Sequence, residues 1–150
     1  MKNLILGFFL VSCFTACNTP SNKPVSEGEK TTVAAKPQSM TAKISGKVSF
    51  PSEVLPEDLT VVIRNNGSGK LYTTRDWNRK TNNYLIEVEA PGVYEVFALS
   101  QQMSGYKAYY SEFVVCGMQA ECKSHKPVIL DVQPGMELNN IDPGDWYTGN

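Results

Sequence analysis

Between residues 44 and 141 no stretch sustains a helical period; apolar side chains instead recur at every second position in short runs cut off by Pro and Gly. Successive strand side chains point to opposite faces, so each run can bury one face and must find a second sheet to bury it against. Ile44 to Phe50 sets Ile44, Gly46, Val48 and Phe50 against Ser45, Lys47 and Ser49, then stops at Pro51. Leu59 to Ile63 runs into Asn65-Asn66-Gly67-Ser68-Gly69, whose residues accept positive φ, and Leu71 to Thr74 resumes, which is a hairpin signal. Tyr84 to Val88 alternates, Pro91-Gly92 supplies a turn, and Val93 to Leu99 follows with Tyr94, Val96 and Ala98 on one side. After Gly105, strands are expected over Tyr106 to Val115, Val128 to Val132 and Met136 to Ile141, the last two parted by Pro134-Gly135. Seven or eight short strands predict an all-β fold, an antiparallel β-sandwich in preference to a small barrel.

The first forty residues read differently. Met1, Lys2 and Asn3 give a positive start, Leu4 to Val11 is apolar, and small residues precede Cys17, which is the layout of a secretory signal over residues 1–16. The apolar run is shorter than the ~20 residues a membrane-spanning helix needs. Phe14-Thr15-Ala16-Cys17 resembles the bacterial lipoprotein box, which implies a diacylglycerol on the Cys17 thiol and Cys17 as the first mature residue. Leu10-Val11-Ser12-Cys13 is the competing box, disfavoured because it leaves an unusually short leader. The following Asn18-Thr19-Pro20-Ser21-Asn22-Lys23 has neither the Asp of inner-membrane retention nor an acidic export cluster, which predicts a lipid anchor in the outer membrane, facing the periplasm. Residues 17–42 hold almost no large apolar side chain and read as a lipidated cysteine with a disordered tether. The sandwich is assigned to residues 43–150.

Over residues 43–150, ten Lys and Arg face thirteen Asp and Glu with no basic block, so no nucleic-acid partner is expected. Cys116 and Cys122 enclose five residues in a chain addressed to an oxidising compartment, which predicts a disulfide. The rival is a metal site of Cys116, Cys122 and His125, whose spacing is unusual for zinc and which lacks an obvious fourth ligand.

Gly46-Lys47-Val48 and the later Pro91-Gly92-Val93-Tyr94-Glu95-Val96-Phe97-Ala98 resemble the carboxypeptidase regulatory-like domains, whose turn and strand read Pro-Gly-x-Tyr-x-Val. Cys116-Gly117, Cys122, His125, Gly135, Ile141 and Asp145-Trp146-Tyr147 extend the likeness to a subgroup of bacterial exported proteins. The resemblance spans about residues 43 to 147 and implies a transthyretin-like sandwich, mostly in accessory roles.

His125 is the only histidine, so acid-base chemistry near neutral pH would centre on it, on a shifted carboxylate or on a lysine. No nucleophile elbow, paired carboxylates, metal-binding His pair or phosphate loop is recognisable, and neither an enzyme nor a cofactor is expected. Trp77 among Arg75, Asp76, Asn78, Arg79 and Lys80 is the candidate contact surface, with Arg75, Arg79 and His125 as further binding candidates. Tyr106, Tyr109 and Tyr110 are read as packed across the sheet. Asp145, Trp146 and Tyr147 are expected to be a structural lock, the aromatics covering the base of the sandwich and Asp145 accepting backbone hydrogen bonds. The leading expectation is a non-catalytic envelope lipoprotein that binds a protein or glycan. The alternatives are a periplasmic inhibitor of a hydrolase, such as lysozyme or a protease, and a metal-binding protein using His125.

Overall fold

A computed structural model describes residues 40–147. The leader, Cys13, Cys17 and the tether as far as residue 39 lie outside the described residues. Eight strands, β1 (Thr41–Lys47), β2 (Thr60–Asn65), β3 (Leu71–Thr74), β4 (Asn83–Glu89), β5 (Gly92–Leu99), β6 (Ala108–Tyr109), β7 (Leu130–Val132) and β8 (Glu137–Leu138), accompany one short α-helix, α1 (Glu112–Val115), and a 3-10 turn over Gln101–Met103. They build two sheets, one ordered β4-β1-β8 and the other β3-β2-β5-β6 with β7 also paired to β5. The all-β sandwich predicted from the alternation is the observed architecture.

Alternation is clearest in β4, where Tyr84, Ile86 and Val88 are buried and their neighbours exposed. Against them β1 contributes Ala42 and Ile44, while Val61, Ile63, Tyr94, Val96 and Ala98 project inward from the other sheet. Each large aliphatic side chain removed from water in this way stabilises the fold by roughly 1.5–3 kcal/mol.

Three sequence expectations change. The first strand runs over Thr41–Lys47 instead of Ile44 to Phe50, and the Met40 carbonyl ahead of it accepts the Ala90 N–H at 2.8 Å. Pairing is not wholly antiparallel, because β8 runs parallel to β1, with Lys43 opposite Glu137 and Ile44 opposite Leu138.

The expected strand over Tyr106 to Val115 is the third correction: it divides into the two-residue β6 and α1. Ser111 sits extended at the helix start, and Gly117 at φ 98° ends it, with Gly117 N–H on Val114 O and Met118 N–H on Phe113 O. Those two bonds are the reversal that a left-handed residue permits after a helix, and they override the β-preference of Val114 and Val115.

The last described residues close the sandwich. Ile141 N–H donates to Ser45 O at 3.0 Å, the Tyr84 hydroxyl donates to Ile141 O at 2.6 Å, and Lys47 N–H donates to Asp142 Oδ1 at 2.7 Å. Burial keeps the Tyr84 phenol protonated far above its ordinary range, so it remains a donor there. Gly46 permits the approach, since a Cβ at that position would collide with the Ile141 carbonyl. Met40 therefore marks one end of the sandwich. The start of β2, the end of β5 and residues 141–146 lie at the other.

Candidate functional site

Two concave regions combine charged groups with apolar walls. The first surrounds His125. Pairing of Tyr109 with Asp145 and of Ser111 with Pro127 brings the end of β6, the segment after α1 and the carboxyl-terminal segment together. Asp145 is closed from solvent and accepts the Ser111 hydroxyl at 2.6 Å and His125 Nδ1 at 2.9 Å. The imidazole stacks on Phe113 with centroids 4.5 Å apart, and Tyr147 meets Phe113 edge-on at 5.8 Å. A depression of about 420 Å³ opens beside them, lined also by Met118, Gln119, Ala120, Cys122 and Lys123.

A serine nucleophile must lie on the imidazole nitrogen remote from the carboxylate, so that the ring can take its proton. Ser111 instead donates its hydroxyl hydrogen bond to Asp145 itself, so the trio ties three segments together without activating an oxygen. Cys116 and Cys122 form the expected disulfide, which engages both sulfurs and removes the Cys116, Cys122, His125 metal set. Among the described residues no group of three or more His, Cys, Asp and Glu is arranged to hold a metal.

The carboxyl-terminal lock is present in a different form from the one expected. Trp146 is buried, donates its indole N–H to Ser49 O at 2.9 Å and meets Phe50 edge-on at 4.9 Å. Asp145 serves mainly side-chain donors, with one backbone contact from Tyr147 N–H at 3.4 Å. Tyr147 covers nothing at the base and is 71% exposed.

The second region lies on the outer face of the five-stranded sheet. Register sets Thr73, Val62, Phe97 and Tyr109 side by side across β3, β2, β5 and β6. Val62 and Phe97 are 3% and 6% exposed although they belong to no part of the inter-sheet core. Residues 100–107 rise beside them and enclose a groove of about 830 Å³ whose walls include Leu71, Leu99 and Met103. Asp58 pins that segment: Oδ1 accepts Ser100 Oγ at 3.0 Å and Oδ2 accepts Gln101 N–H at 2.5 Å. The Gln101 N–H first, then Ser100 and Arg75, hold its carboxyl below the ordinary carboxylate value. Arg75, whose Nε donates to Thr60 Oγ1 at 2.9 Å, and Lys107, with Nζ 5.6 Å from the Phe97 ring centre, are the groove's cations.

Trp77 is not the exposed contact residue expected from its polar neighbours. It is 5% exposed, belongs to the core, and its indole N–H points to Leu59 O at 3.4 Å. Arg79 lies over its outer side, 4.0 Å from the ring centre, so the pair is a capped core residue. Arg75 belongs to the groove and His125 to the Asp145 cluster; the four binding candidates thus fall into three separate settings. Tyr109 packs on Phe97 at 5.4 Å and Tyr110 on the core, whereas Tyr106 is exposed at the groove rim. Sequence reasoning missed Val62, Phe97 and residues 100–107 as a unit. The available signal was that β2 and β5 carry apolar residues at both parities, as strands covered on both faces do. No family model, no curated protein and no solved structure matches the chain.

Proposed function

We infer that the chain is a non-catalytic cell-envelope lipoprotein: Cys17 carries the lipid, the following residues are a tether, and the sandwich is a binding domain. The observation that carries the binding role is the groove on the five-stranded sheet, apolar along its floor and cationic at Arg75 and Lys107. One feature supports the absence of catalysis: the serine beside the single histidine is bonded to the buried carboxylate and not to the imidazole nitrogen remote from it. Outer-membrane attachment on the periplasmic side rests on the residues after Cys17, and assignment to the carboxypeptidase regulatory-like domains on Gly46-Lys47-Val48 and on the Pro91 to Ala98 segment, which forms most of β5.

Intact-mass analysis of protein purified from an expressing bacterium tests the attachment. A mass corresponding to cleavage before Cys17 plus a lipid is the expected result, lost in Cys17→Ala. An unmodified mature chain rejects the anchor. A hydrolase-inhibitor role is the competing reading, decided by adding the mature protein to lysozyme and protease assays.

A further inference from the structure

We propose that the outer-face groove binds one long-chain fatty acid, its hydrocarbon along Leu71, Leu99 and Met103 and its carboxylate held by Lys107 and Arg75. This rests on reading the sandwich as a binding domain and names the ligand class for that groove. The floor argues for hydrocarbon. Phe97 is 6% exposed, with Lys107 Nζ 5.6 Å from its ring centre, and presents no open ring face for a sugar, while the half-buried Leu99 and Met103 leave apolar surface along the groove. Leu71 at one wall is 55% exposed, an apolar side chain whose contact with water a bound chain would reduce.

Charge argues for an anionic head. Asp58, Arg75 and Lys107 are the charged residues of the lining, and both oxygens of Asp58 are directed into the wall by Ser100 and Gln101. The lining therefore carries two cations against one carboxylate, a positive balance that favours an anionic head. Size fits as well: about 830 Å³ falls within the ~300–1,000 Å³ typical of small-ligand sites.

The test uses the mature chain carrying Cys17→Ser, so that no covalent lipid competes, and displacement of a fluorescent fatty-acid probe. Palmitate is expected to displace the probe at one molecule per chain, and each removal of two methylenes to weaken it by about ten-fold. Hexadecanol and hexadecyltrimethylammonium, equal in chain length, are expected to bind at least ten-fold more weakly. Arg75→Gln with Lys107→Gln should lower palmitate affinity at least ten-fold while leaving that of hexadecanol in place. Leu99→Asp, checked for an unchanged circular dichroism spectrum, should abolish binding of both. Absence of saturable displacement overturns the proposal, as does equal affinity for palmitate and hexadecanol. Displacement by an acidic peptide or oligosaccharide but not by palmitate overturns it too. None of these failures touches the lipid on Cys17, which the intact mass reads separately.

Discussion

The carboxylate of Asp145 lies 2.9 Å from Nδ1 of His125 in a position closed to solvent, while the imidazole stays one-third exposed. A carboxylate so placed depends on its donors, and its donors come from two other segments of the chain. Asp145→Ala removes the acceptor of both Ser111 and His125 and leaves Ser111 buried and unpaired. A loss of about 3 kcal/mol is expected in urea unfolding. His125→Ala, at a one-third-exposed site, should cost about half as much. Equal values for the two variants would mean that the carboxylate is not the centre of the cluster.

Trp77 separates a core role from a surface role. Trp77→Ala should destabilise by about 3–5 kcal/mol, the range for emptying a buried aromatic site. Arg79→Ala, which strips the cation from the ring's outer side, should cost no more than about 1 kcal/mol. A Trp77→Ala protein with an unchanged urea midpoint would contradict the burial.

The disulfide closes a short loop and so restrains the unfolded chain modestly. Replacing Cys116 and Cys122 together with Ala should lower stability by about 2 kcal/mol and leave the two sheets intact. Hydrogen exchange should quicken at residues 116–125 and remain slow in β2 and β5.

Gly46 stands where the backbone of Ile141 crosses β1. Gly46→Ala forces either strand or crossing segment to move, a cost of about 1–3 kcal/mol. Trp146 fluorescence should report release of residues 141–146 ahead of global unfolding. A single, unshifted transition would show that the crossing absorbs a methyl group.

Acid should loosen the groove wall through Asp58. Its folded carboxyl is held below the ordinary value of 3.8, so its contribution is complete above that value and declines as pH falls through the lower, folded value. Amide exchange at Gln101 and Gln102, corrected for intrinsic rates, should rise on moving from pH 5 to the acid side of that window. In Asp58→Asn the corrected rates should start high and change little.

Most of the sandwich was legible because alternation is a local property. Tyr84, Ile86 and Val88 announce their inward face without reference to anything else. Glu112 to Val115 was not legible, because two β-branched valines outweigh in pattern what Ser111 before them and Gly117 after them decide in space. Trp77 was misread for a related reason: its neighbours in sequence are polar, but its neighbours in the fold are Leu59 and the core. The groove needed more still. It exists because Asp58 holds residues 100–101 from more than forty positions away, and no window of sequence contains both ends of that contact.

The edge of β1 beside β8 sets a schedule for the chain. Lys43 and Ile44 take their parallel partners from Glu137 and Leu138, and Ser49 receives the indole N–H of Trp146, 97 positions later. A first strand completed by residues this remote cannot close the sandwich until nearly the whole domain has been synthesised. Until residues 137–141 emerge from the ribosome, the β1 edge stays open to other strands, and keeping it unpaired falls to whatever accompanies the nascent chain.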